Sequence, residues 1–440
     1  MHYDFVIVGS GPGGATVARQ LARAGARVAI LERGRDWRQN PLYGTYAGAL
    51  AYADKHALLF TKEGVNIVRP LMLGGATSMF AGCSADPLPW WQSQYGIDLE
   101  GYAGSVKQEL EIRPLPTSQR GTASTHLAET GNALGMHWTP QDKFMLPARS
   151  PAFKCGAHCM LGCRCGAKWN AAEFVDDAVA AGAELHTGAR VDEVVHDGRR
   201  VRGVHVRERA RSRKRELTAD HVIIAAGGIG TPMLLRDSGV AISDGMAMDL
   251  TVMVYGYSAD VKRQGREPPM TWSSADDELG VLYSTLIDPW LMYPIIMAAK
   301  GPLYPLTWGR WGNTLGVMIK LKDEISGSFD AGGRISKGVT DADRAKLTRA
   351  EDVARQILRR AGCDPKKMIT TPMRGTHPSA TVRIDDVLTR DLQTSIEGLY
   401  VCDASVFPQA LARPTVLTIM ALAMRLAHKL LRETRFTDNC

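Results

Sequence analysis

The chain has 440 residues, and its 45% hydrophobic and 22% charged content is typical of a globular protein. The length indicates two domains, or one cofactor domain with inserted segments. The formal net charge of +7 is mild and spread along the chain, which favours solubility and argues against a nucleic-acid-binding protein.

The amino-terminal segment switches between strand-like and helix-like patterns. An apolar run from Phe5 to Val8 leads into a glycine-rich turn, Gly9 to Gly14. A helical pattern covers Ala15 to Ala24, and a second apolar run, Val28 to Leu31, ends in Glu32. This order predicts a strand, a turn, a helix and a second strand.

The glycine spacing in this turn fits the dinucleotide-binding fingerprint at Gly9, Gly11 and Gly14. Gly9 permits the tight turn, Gly11 lets the backbone approach a pyrophosphate, and Gly14 lets the helix pack against the strand. We expect the pyrophosphate on free N–H groups at the positive end of the helix, with Glu32 accepting hydrogen bonds from ribose hydroxyls. An ordinary strand–helix turn is the alternative, and these residues leave the identity of the dinucleotide open.

The sequence gives no sign of export or of membrane insertion. The first strand pattern begins within a few residues of Met1, which predicts that the chain has no signal peptide. The longest apolar stretch, Leu286 to Ala299, is interrupted by Asp288 and Pro294, which is unlike a membrane span. We therefore expect a cytoplasmic chain in a reducing compartment.

Three later stretches contain strand and turn signals. The loop Leu71 to Ser78 places adjacent glycines beside small hydroxyl residues, which indicates close approach of the backbone to a ligand. The strand pattern His221 to Ala226 runs into a glycine turn and a helix, Met233 to Asp237, and predicts a return to the first sheet. The basic run Arg207 to Arg215 is interpreted as the solvated tip of a hairpin, and less favourably as a dock for an acidic partner.

The second half of the chain changes character. Strand-like alternations between Met246 and about Thr371 predict a separate β-rich layer over the cofactor, interrupted by one helix that Thr340 caps. The carboxyl-terminal part is regular, with a strand, Leu399 to Cys402, followed by a turn and a helix, Thr415 to Leu431.

Together these motifs resemble the glucose–methanol–choline (GMC) oxidoreductases, which are FAD enzymes. The resemblance lies in Gly9 to Glu32, Gly74 to Thr77, Ala225 to Gly239, Gly375 to Pro378, Leu399 to Pro408 and Thr418 to Ala423. These stretches bracket the whole chain, whereas the segment from Met246 to Thr371 matches no part of the family pattern.

The resemblance implies an α/β fold: a Rossmann-like FAD-binding domain with a second, β-rich (α+β) substrate domain. Residues 1-85, 150-245 and 375-440 would form the discontinuous FAD-binding domain, and residues 86-149 and 246-374 the substrate or cap domain. The implied cofactor-binding residues are Gly9, Gly11, Pro12, Gly13, Gly14, Glu32, Gly74, Gly75, Thr77, Ser78, Val191, Gly227, Asp403 and Thr415.

The same resemblance assigns roles within that set. Glu32 would bind the adenosine ribose, the backbone of Val191 the adenine, and Asp403 the ribityl chain or the pyrophosphate. The loop from Gly74 to Ser78 would lie along the pyrophosphate and the isoalloxazine ring.

His377 falls where the family keeps its catalytic histidine. Oxidising an alcohol requires removal of a hydroxyl proton, and a histidine with a near-neutral pKa can accept that proton. A packed or capping histidine is the alternative.

The family's second histidine or asparagine before the last helix is absent, and Arg413 or its neighbour stands there. A cation at this position would stabilise an anionic reduced flavin, and its presence also leaves room for different chemistry or a reductive direction.

Four cysteines fall in one short run: Cys155, Cys159, Cys163 and Cys165. The run is similar to a segment of bacterial FAD-dependent sugar and sugar-acid dehydrogenases of the family, in which cysteines hold an iron–sulfur cluster. Carried over, the first three would be ligands and Cys165 a fourth. The spacing differs from the ferredoxin run, so a structural zinc, disulfides and free thiols stay open as alternatives.

The sequence therefore predicts an FAD-dependent dehydrogenase that oxidises a hydroxyl-bearing small molecule. Electrons would leave through the cluster to an acceptor protein or a quinone. An oxygen-using oxidase and a non-catalytic FAD electron-transfer subunit are the alternatives.

Overall fold

The computed structural model describes residues 2–150, 153–208, 214–261 and 267–434. Its strands are β1 His2–Val8, β2 Val28–Glu32, β3 Leu59–Phe60, β4 Asn66–Ile67, β5 Arg113–Pro114, β6 Thr139–Pro140, β7 Asp142–Lys143, β8 Glu184–Thr187, β9 Ala189–His196, β10 Val201–Glu208, β11 Lys214–Ile224, β12 Leu250–Tyr257, β13 Trp272–Asp276, β14 Val281–Thr285, β15 Thr314–Leu321, β16 Ser328–Phe329, β17 Ile335–Ser336, β18 Ile369–Thr370, β19 Arg374–Gly375 and β20 Leu399–Val401. Its α-helices are α1 Pro12–Arg23, α2 Tyr46–Tyr52, α3 Trp90–Tyr95, α4 Glu100–Glu109, α5 Thr122–Ala133, α6 Ala172–Ala180, α7 Gly227–Asp237, α8 Met292–Ala298, α9 Asp341–Arg360 and α10 Val416–Glu433.

The first sheet has the strand order β8-β2-β1-β11-β10-β9, and β20 pairs with the end of β11. The strands β8, β2, β1, β11 and β20 are parallel, whereas β9 and β10 extend the sheet as antiparallel strands. Apolar faces of α1, α6 and α10 share its core. Ligands of such sheets bind beyond the carboxyl ends of the parallel strands, which here means after Val8, Ile224 and Val401.

The second sheet runs in the order β3-β4-β19-β12-β15-β14-β13-β6, with β18 also paired to β12. Because side chains alternate along a strand, each strand contributes to both faces. One face packs Val252, Val254, Val317 and Ile319 against α5 and α9. The opposite face carries Met253, Tyr255 and Met318, together with Thr251 and Lys320, which lie opposite each other in the antiparallel register.

The α/β fold with a second β-rich sheet is confirmed. The helix expected to start at Met233 instead begins at Gly227 and runs through Pro232. A proline inside a helix removes one backbone hydrogen-bond donor, so Pro232 led the sequence pattern to predict a helix that starts only after it. The carbonyl of Gly228, four residues earlier, accepts a hydrogen bond from Thr381 Oγ1 at 3.1 Å instead.

Two smaller predictions also agree with the structure. Thr340 caps α9, because its side chain accepts a hydrogen bond from Asp343 N. The strands β10 and β11 form an antiparallel hairpin, as expected around the basic run. The tip of that hairpin, residues 209–213, lies outside the described residues.

Candidate active site

The glycine turn after β1 leads directly into α1. Gly13 packs against the end of β20 so closely that an added Cβ would lie 1.9 Å from the carbonyl oxygen of Cys402. Gly11 differs, because a Cβ there would meet no described atom within 4 Å. Among the described residues no side chain caps α1, and its first turn has no acidic residue. The positive end of this helix therefore faces open space, as an anionic pyrophosphate requires.

Glu32 is buried at the end of β2 and is connected to the Gly74 loop through Ser10. Its Oε2 accepts hydrogen bonds from Ser10 N at 3.1 Å and Ser10 Oγ at 2.6 Å, and its Oε1 accepts from Gly34 N at 2.7 Å. Ser10 Oγ in turn accepts from Gly74 N at 3.1 Å. Burial raises the pKa of Glu32, while these donors oppose the rise by stabilising its carboxylate. The predicted ribose and pyrophosphate residues are thus joined in one network.

The loop from Gly74 to Ser78 is also fixed from its other side. Thr77 Oγ1 donates to Gly74 O at 2.6 Å and accepts from Ala171 N at 2.8 Å. Ser78 Oγ donates to Leu73 O at 3.0 Å. Because Thr77 and Ser78 use their hydroxyls to hold the loop, the groups of this loop that remain for a cofactor are backbone groups.

Asp403 lies just beyond β20 and connects this strand to the start of α7. Its Oδ2 accepts hydrogen bonds from Gly227 N at 2.8 Å and Thr231 Oγ1 at 2.5 Å, and its Oδ1 accepts from Ser405 N at 2.8 Å. Burial raises the pKa of Asp403, and these donors counteract the rise.

His377 follows β19 and pairs with a carboxylate that the sequence had not indicated. Its Nδ1 lies 2.7 Å from Oδ2 of Asp249, which is 1% exposed at the start of β12. The backbone N–H groups of Thr376 and His377 both donate to Met248 O, at 2.9 and 2.8 Å. Burial lowers the pKa of His377 from its ordinary value of 6.5, the charge of Lys320 lowers it further, and Asp249 opposes both.

The segment before α10 joins the same group of residues. Asp249 Oδ1 accepts a hydrogen bond from Ala412 N at 2.9 Å. The next residue, Arg413, donates to Asp277 Oδ1 at 2.5 Å and to Ala412 O at 3.2 Å. Arg413 therefore lies beside the histidine–aspartate pair but is held by Asp277. Thr415 is buried at the start of α10, and no described side chain caps that helix.

The His377 segment also contacts the glycine-rich part directly. A Cβ added to Gly228 would lie 1.9 Å from Pro378 O, and Ala380 N donates to Ala404 O at 3.2 Å. The starts of α1, α7 and α10 therefore meet around one region that includes His377. Val191 lies apart from these contacts, on β9 opposite Val206, and its predicted contact with adenine stays a prediction.

The four cysteines line one cavity of about 380 Å³ behind the Gly74 loop. Cys163 Sγ lies 3.5 Å from Cys165 Sγ, and Cys155 pairs with Cys159. Hydrogen bonding from Cys159 lowers the pKa of Cys155 to about 7, and hydrogen bonding from Cys163 lowers that of Cys165 to about 5. Each pair thus favours one thiolate that accepts from one thiol.

This arrangement does not support the predicted iron–sulfur ligands. Across residues 2–150, 153–208, 214–261 and 267–434, no group of three or more His, Cys, Asp or Glu side chains is placed to hold a metal ion. The donor chemistry suits iron, but the thiols form two pairs and not one ligand set. The seven cysteines in the described ranges are all free, so no disulfide forms among them.

Comparison with known proteins identifies the family. The GMC oxidoreductase models match residues 3–251 and residues 334–423, which is more than half of the chain. The chain therefore belongs to the GMC oxidoreductase family, whose cofactor is FAD. The open positive end of α1 and the network from Glu32 to Gly74 fit that cofactor.

Two relatives span nearly the whole chain, and a third covers about three quarters of it. An uncharacterized GMC-type oxidoreductase of Mycobacterium tuberculosis is 26% identical over 486 residues, covering 96% of this chain and 75% of that protein. An uncharacterized protein of Methanocaldococcus jannaschii is 26% identical and covers 98% and 100%. A cholesterol oxidase of Mycobacterium tuberculosis is 25% identical over 376 residues, covering 74% of this chain and 62% of that protein.

Solved structures share the fold. Pyridoxine 4-oxidase from Mesorbium loti superimposes with a TM-score of 0.70 at 18% identity, covering 97% of this chain and 99% of that chain. Formate oxidase gives a TM-score of 0.67 at 16% identity, covering 99% of each. Within the described ranges no helix is long and apolar enough to cross a membrane.

Proposed function

We propose that the protein oxidises a hydroxyl-bearing small molecule, with His377 as the base that removes the hydroxyl proton. The observation that carries this proposal is the 2.7 Å contact between His377 Nδ1 and Asp249 Oδ2, beside the starts of α7 and α10. When bound, FAD would accept the hydride from the carbon that bears the hydroxyl group.

The contact with Asp249 determines which ring nitrogen of His377 acts. An ionised carboxylate only accepts hydrogen bonds, so Nδ1 carries the proton of the neutral imidazole. Nε2 then keeps its lone pair and is the atom that accepts the hydroxyl proton. The resulting imidazolium is stabilised by the Asp249 carboxylate on its other side, which lowers the cost of separating the charges.

The environment of His377 keeps this base available. A lowered pKa means that the imidazole is neutral at neutral pH, as a proton acceptor must be. Arg413, one residue from the backbone amide that Asp249 binds, is the proposed cation for the anionic reduced cofactor. Its ion pair with Asp277, which is 82% exposed, is of the kind that contributes little to stability and can therefore rearrange.

Anaerobic bleaching of the flavin tests this function. The FAD-loaded protein is mixed without oxygen with a panel of alcohols, sugars, sterols and hydroxy acids, and absorbance of the oxidised flavin is followed. We expect at least one compound to bleach the flavin, and His377→Asn to slow that reaction by about 10²–10⁴-fold.

A matched variant controls for the substitution itself. His205→Asn makes the same change in a surface ion pair with Glu193, on the hairpin of β9 and β10. It is expected to bleach at the parental rate. Equal rates for His377→Asn and the parent would remove His377 from the role of base.

We further propose that electrons leave through the cysteine cavity to an acceptor protein or a quinone. Lys168 supports this route, because its buried Nζ donates to Ser78 O at 2.9 Å and to Cys159 O at 2.8 Å. The loop from Gly74 to Ser78 and the segment that carries the four cysteines therefore both accept hydrogen bonds from the same buried ammonium group. An iron–sulfur cluster on Cys155, Cys159, Cys163 and Cys165 is the form of this proposal that the sequence favours. In the structure, however, the four thiols form two pairs and not one ligand set.

Iron analysis and electron paramagnetic resonance of anaerobically purified protein test the cluster. Iron in proportion to flavin, lost in Cys159→Ser but kept in Cys363→Ser, would support the cluster. Cys363 is also a buried free cysteine, so it is a matched control. Protein that contains flavin and no iron would end the cluster proposal.

Two other functions have their own signatures. An oxidase would produce peroxide from the bleaching substrate in air, whereas a dehydrogenase would need an added acceptor. A non-catalytic electron-transfer subunit would contain flavin that no small molecule reduces. A cytoplasmic location stays a prediction from the sequence.

A further inference from the structure

The backbone of Asp249 is held in an unusual conformation. Its φ is +47°, in the left-handed region that non-glycine residues rarely adopt. Its carbonyl oxygen accepts two hydroxyl hydrogen bonds, from Thr251 Oγ1 at 2.8 Å and from Thr376 Oγ1 at 3.0 Å. Ala412, whose amide donates to Asp249 Oδ1, is also left-handed, with φ of +51°. Strained residues of this kind persist only where their surroundings hold them.

Lys320 contacts the same two hydroxyls, those of Thr251 and Thr376. Only 3% of Lys320 is exposed, and its Nζ donates to Thr376 Oγ1 and, at 3.3 Å, to Thr251 Oγ1. The antiparallel register of β12 and β15 places Lys320 directly opposite Thr251. The described hydrogen bonds of this buried ammonium are thus made to two hydroxyls.

The two hydroxyls connect Lys320 to the Asp249 carbonyl. Thr251 Oγ1 and Thr376 Oγ1 both donate to Asp249 O, and both accept from Lys320 Nζ. The two hydroxyl oxygens also lie 3.2 Å apart. Lys320, Thr251, Thr376 and the carbonyl of Asp249 form a closed ring of hydrogen bonds, which we call the lysine clamp.

We propose that Lys320 is a positioning residue for the His377–Asp249 pair: the lysine clamp holds the Asp249 backbone in its left-handed conformation. With the backbone fixed, one carboxylate reaches His377 through Oδ2 and Ala412 through Oδ1. The clamp thereby sets the orientation of the imidazole and of the segment that enters α10.

The charges around Lys320 agree with this role. Burial lowers the pKa of Lys320, while the carboxylates of Asp249 and Asp323 oppose that shift. Asp323 is itself paired with the buried Lys337 at 2.9 Å, so it is not a dedicated partner for Lys320. Burying a lysine without a dedicated carboxylate costs free energy, and the clamp gives a reason for its presence.

The inference rests on the proposed role of His377, but its test does not need a substrate. In the FAD-loaded protein, hydrogen exchange at the Ala412 amide reports the bond to Asp249 Oδ1. The proton resonance of His377 Nδ1–H, assigned with His377→Asn, reports the bond to Asp249 Oδ2. Failure to find a substrate would leave both readouts intact.

Thr376→Val is the first variant, because Thr376 lies at an exposed position and valine keeps the shape without the hydroxyl. We expect exchange at Ala412 to rise at least about tenfold and the Nδ1–H resonance to weaken or shift. Thr376→Ser, which restores the hydroxyl, is expected to return both readouts toward the parent.

Lys320→Met removes both donors at once and is expected to have the same effect as Thr376→Val. Lys320→Arg keeps a donor and is expected to rescue partly. Lys143→Met is the control for burial, since Lys143 is equally enclosed but donates to the carbonyls of Ala81 and Pro269. Should Lys320→Met not fold, the threonine variants decide alone. Unchanged exchange and an unchanged resonance in a folded Thr376→Val protein would overturn the proposal.

Discussion

His377 and Asp249 are 128 residues apart in the chain, yet His377 Nδ1 lies 2.7 Å from Asp249 Oδ2. One residue follows the short strand β19 and the other precedes β12, so the pairing of those two strands brings them together. The same carboxylate binds the Ala412 amide through its second oxygen. Three separate segments therefore depend on one buried side chain.

Asp249→Asn is expected to slow flavin reduction by on the order of 10²-fold while the protein keeps its FAD. Aspartate offers two acceptor oxygens, one for His377 and one for Ala412, whereas asparagine offers one oxygen and two donors. If the oxygen stays on Ala412 N, the amide NH2 group donates to His377 Nδ1 and shifts the imidazole proton to Nε2, which then cannot accept a proton. If the oxygen turns to His377 instead, the bond to Ala412 is lost. Stopped-flow reduction and the flavin content of the purified variant measure the two effects separately. A variant that reduces as fast as the parent would show that the pair is structural.

The pH dependence of flavin reduction follows from the pKa of His377. Because the base must be neutral, the rate is expected to fall as the pH drops through the folded-state pKa. That pKa is lowered by burial and by Lys320, so the acid limb is expected below pH 6.5, the ordinary value. Reduction rates measured from pH 4.5 to about 8 under anaerobic conditions locate the limb. A limb above pH 6.5 would contradict the assignment.

Substitutions at two glycines of the first turn are expected to have different effects, one on the stability of the protein and the other on its affinity for the cofactor. Gly13→Ala places a methyl group against the carbonyl of Cys402 and is expected to destabilise the protein by about 3 kcal/mol. Gly11→Ala meets open space and has a φ of −66°, which alanine adopts readily, so the apoprotein is expected to keep its stability. Its methyl group enters the space proposed for the pyrophosphate, so flavin affinity is expected to fall at least about tenfold.

Thermal unfolding of the apoproteins and flavin titration distinguish these outcomes. Tight flavin binding by Gly11→Ala would show that the cofactor does not pass over this turn. Equal stability of the two apoproteins would show that Gly13 does not pack as described.

Arg413 and Asp277 form a pair in which the partners have different expected roles. Arg413→Met is expected to slow reduction at least about tenfold if its cation stabilises the developing negative charge. Asp277→Asn removes an exposed partner and is expected to change the rate by less than about twofold. Parallel loss in both variants would mean that the ion pair itself orders the site.

The sequence predicted those parts of the site that are marked by local patterns. The glycine turn and Glu32 lie in a motif whose spacing is set by a tight turn and a helix start, whereas Asp403 and His377 were indicated by the resemblance to the family. Asp249 was missed because nothing near it is distinctive: it is a single acid before an apolar strand. Its role comes from strand pairing across 128 residues, which no local window contains.

The cysteine run is a local pattern that predicted where the residues lie but not how they are arranged. Close spacing correctly predicted that four thiols would share one place, since all four line the same cavity. Spacing did not determine how they face one another, because left-handed residues such as Ala157 and Gly162 redirect the loop between them.

The domain boundaries also stay a prediction. Strands of two residues, such as β3 and β4, have no periodicity to detect, and they join the second sheet.

The close packing of the Pro378 carbonyl against Gly228 restricts how chimeras of this protein and its relatives can be built. Chimeras that exchange the second sheet must transfer residues 374–381 together with residues 227–231, because the carbonyl of Pro378 leaves no room for a side chain at position 228. Thr381 also supplies the donor that Pro232 denies to the Gly228 carbonyl. A crossover that separates these two segments is expected to displace His377 even when both parental halves fold, so the two segments have to be exchanged together.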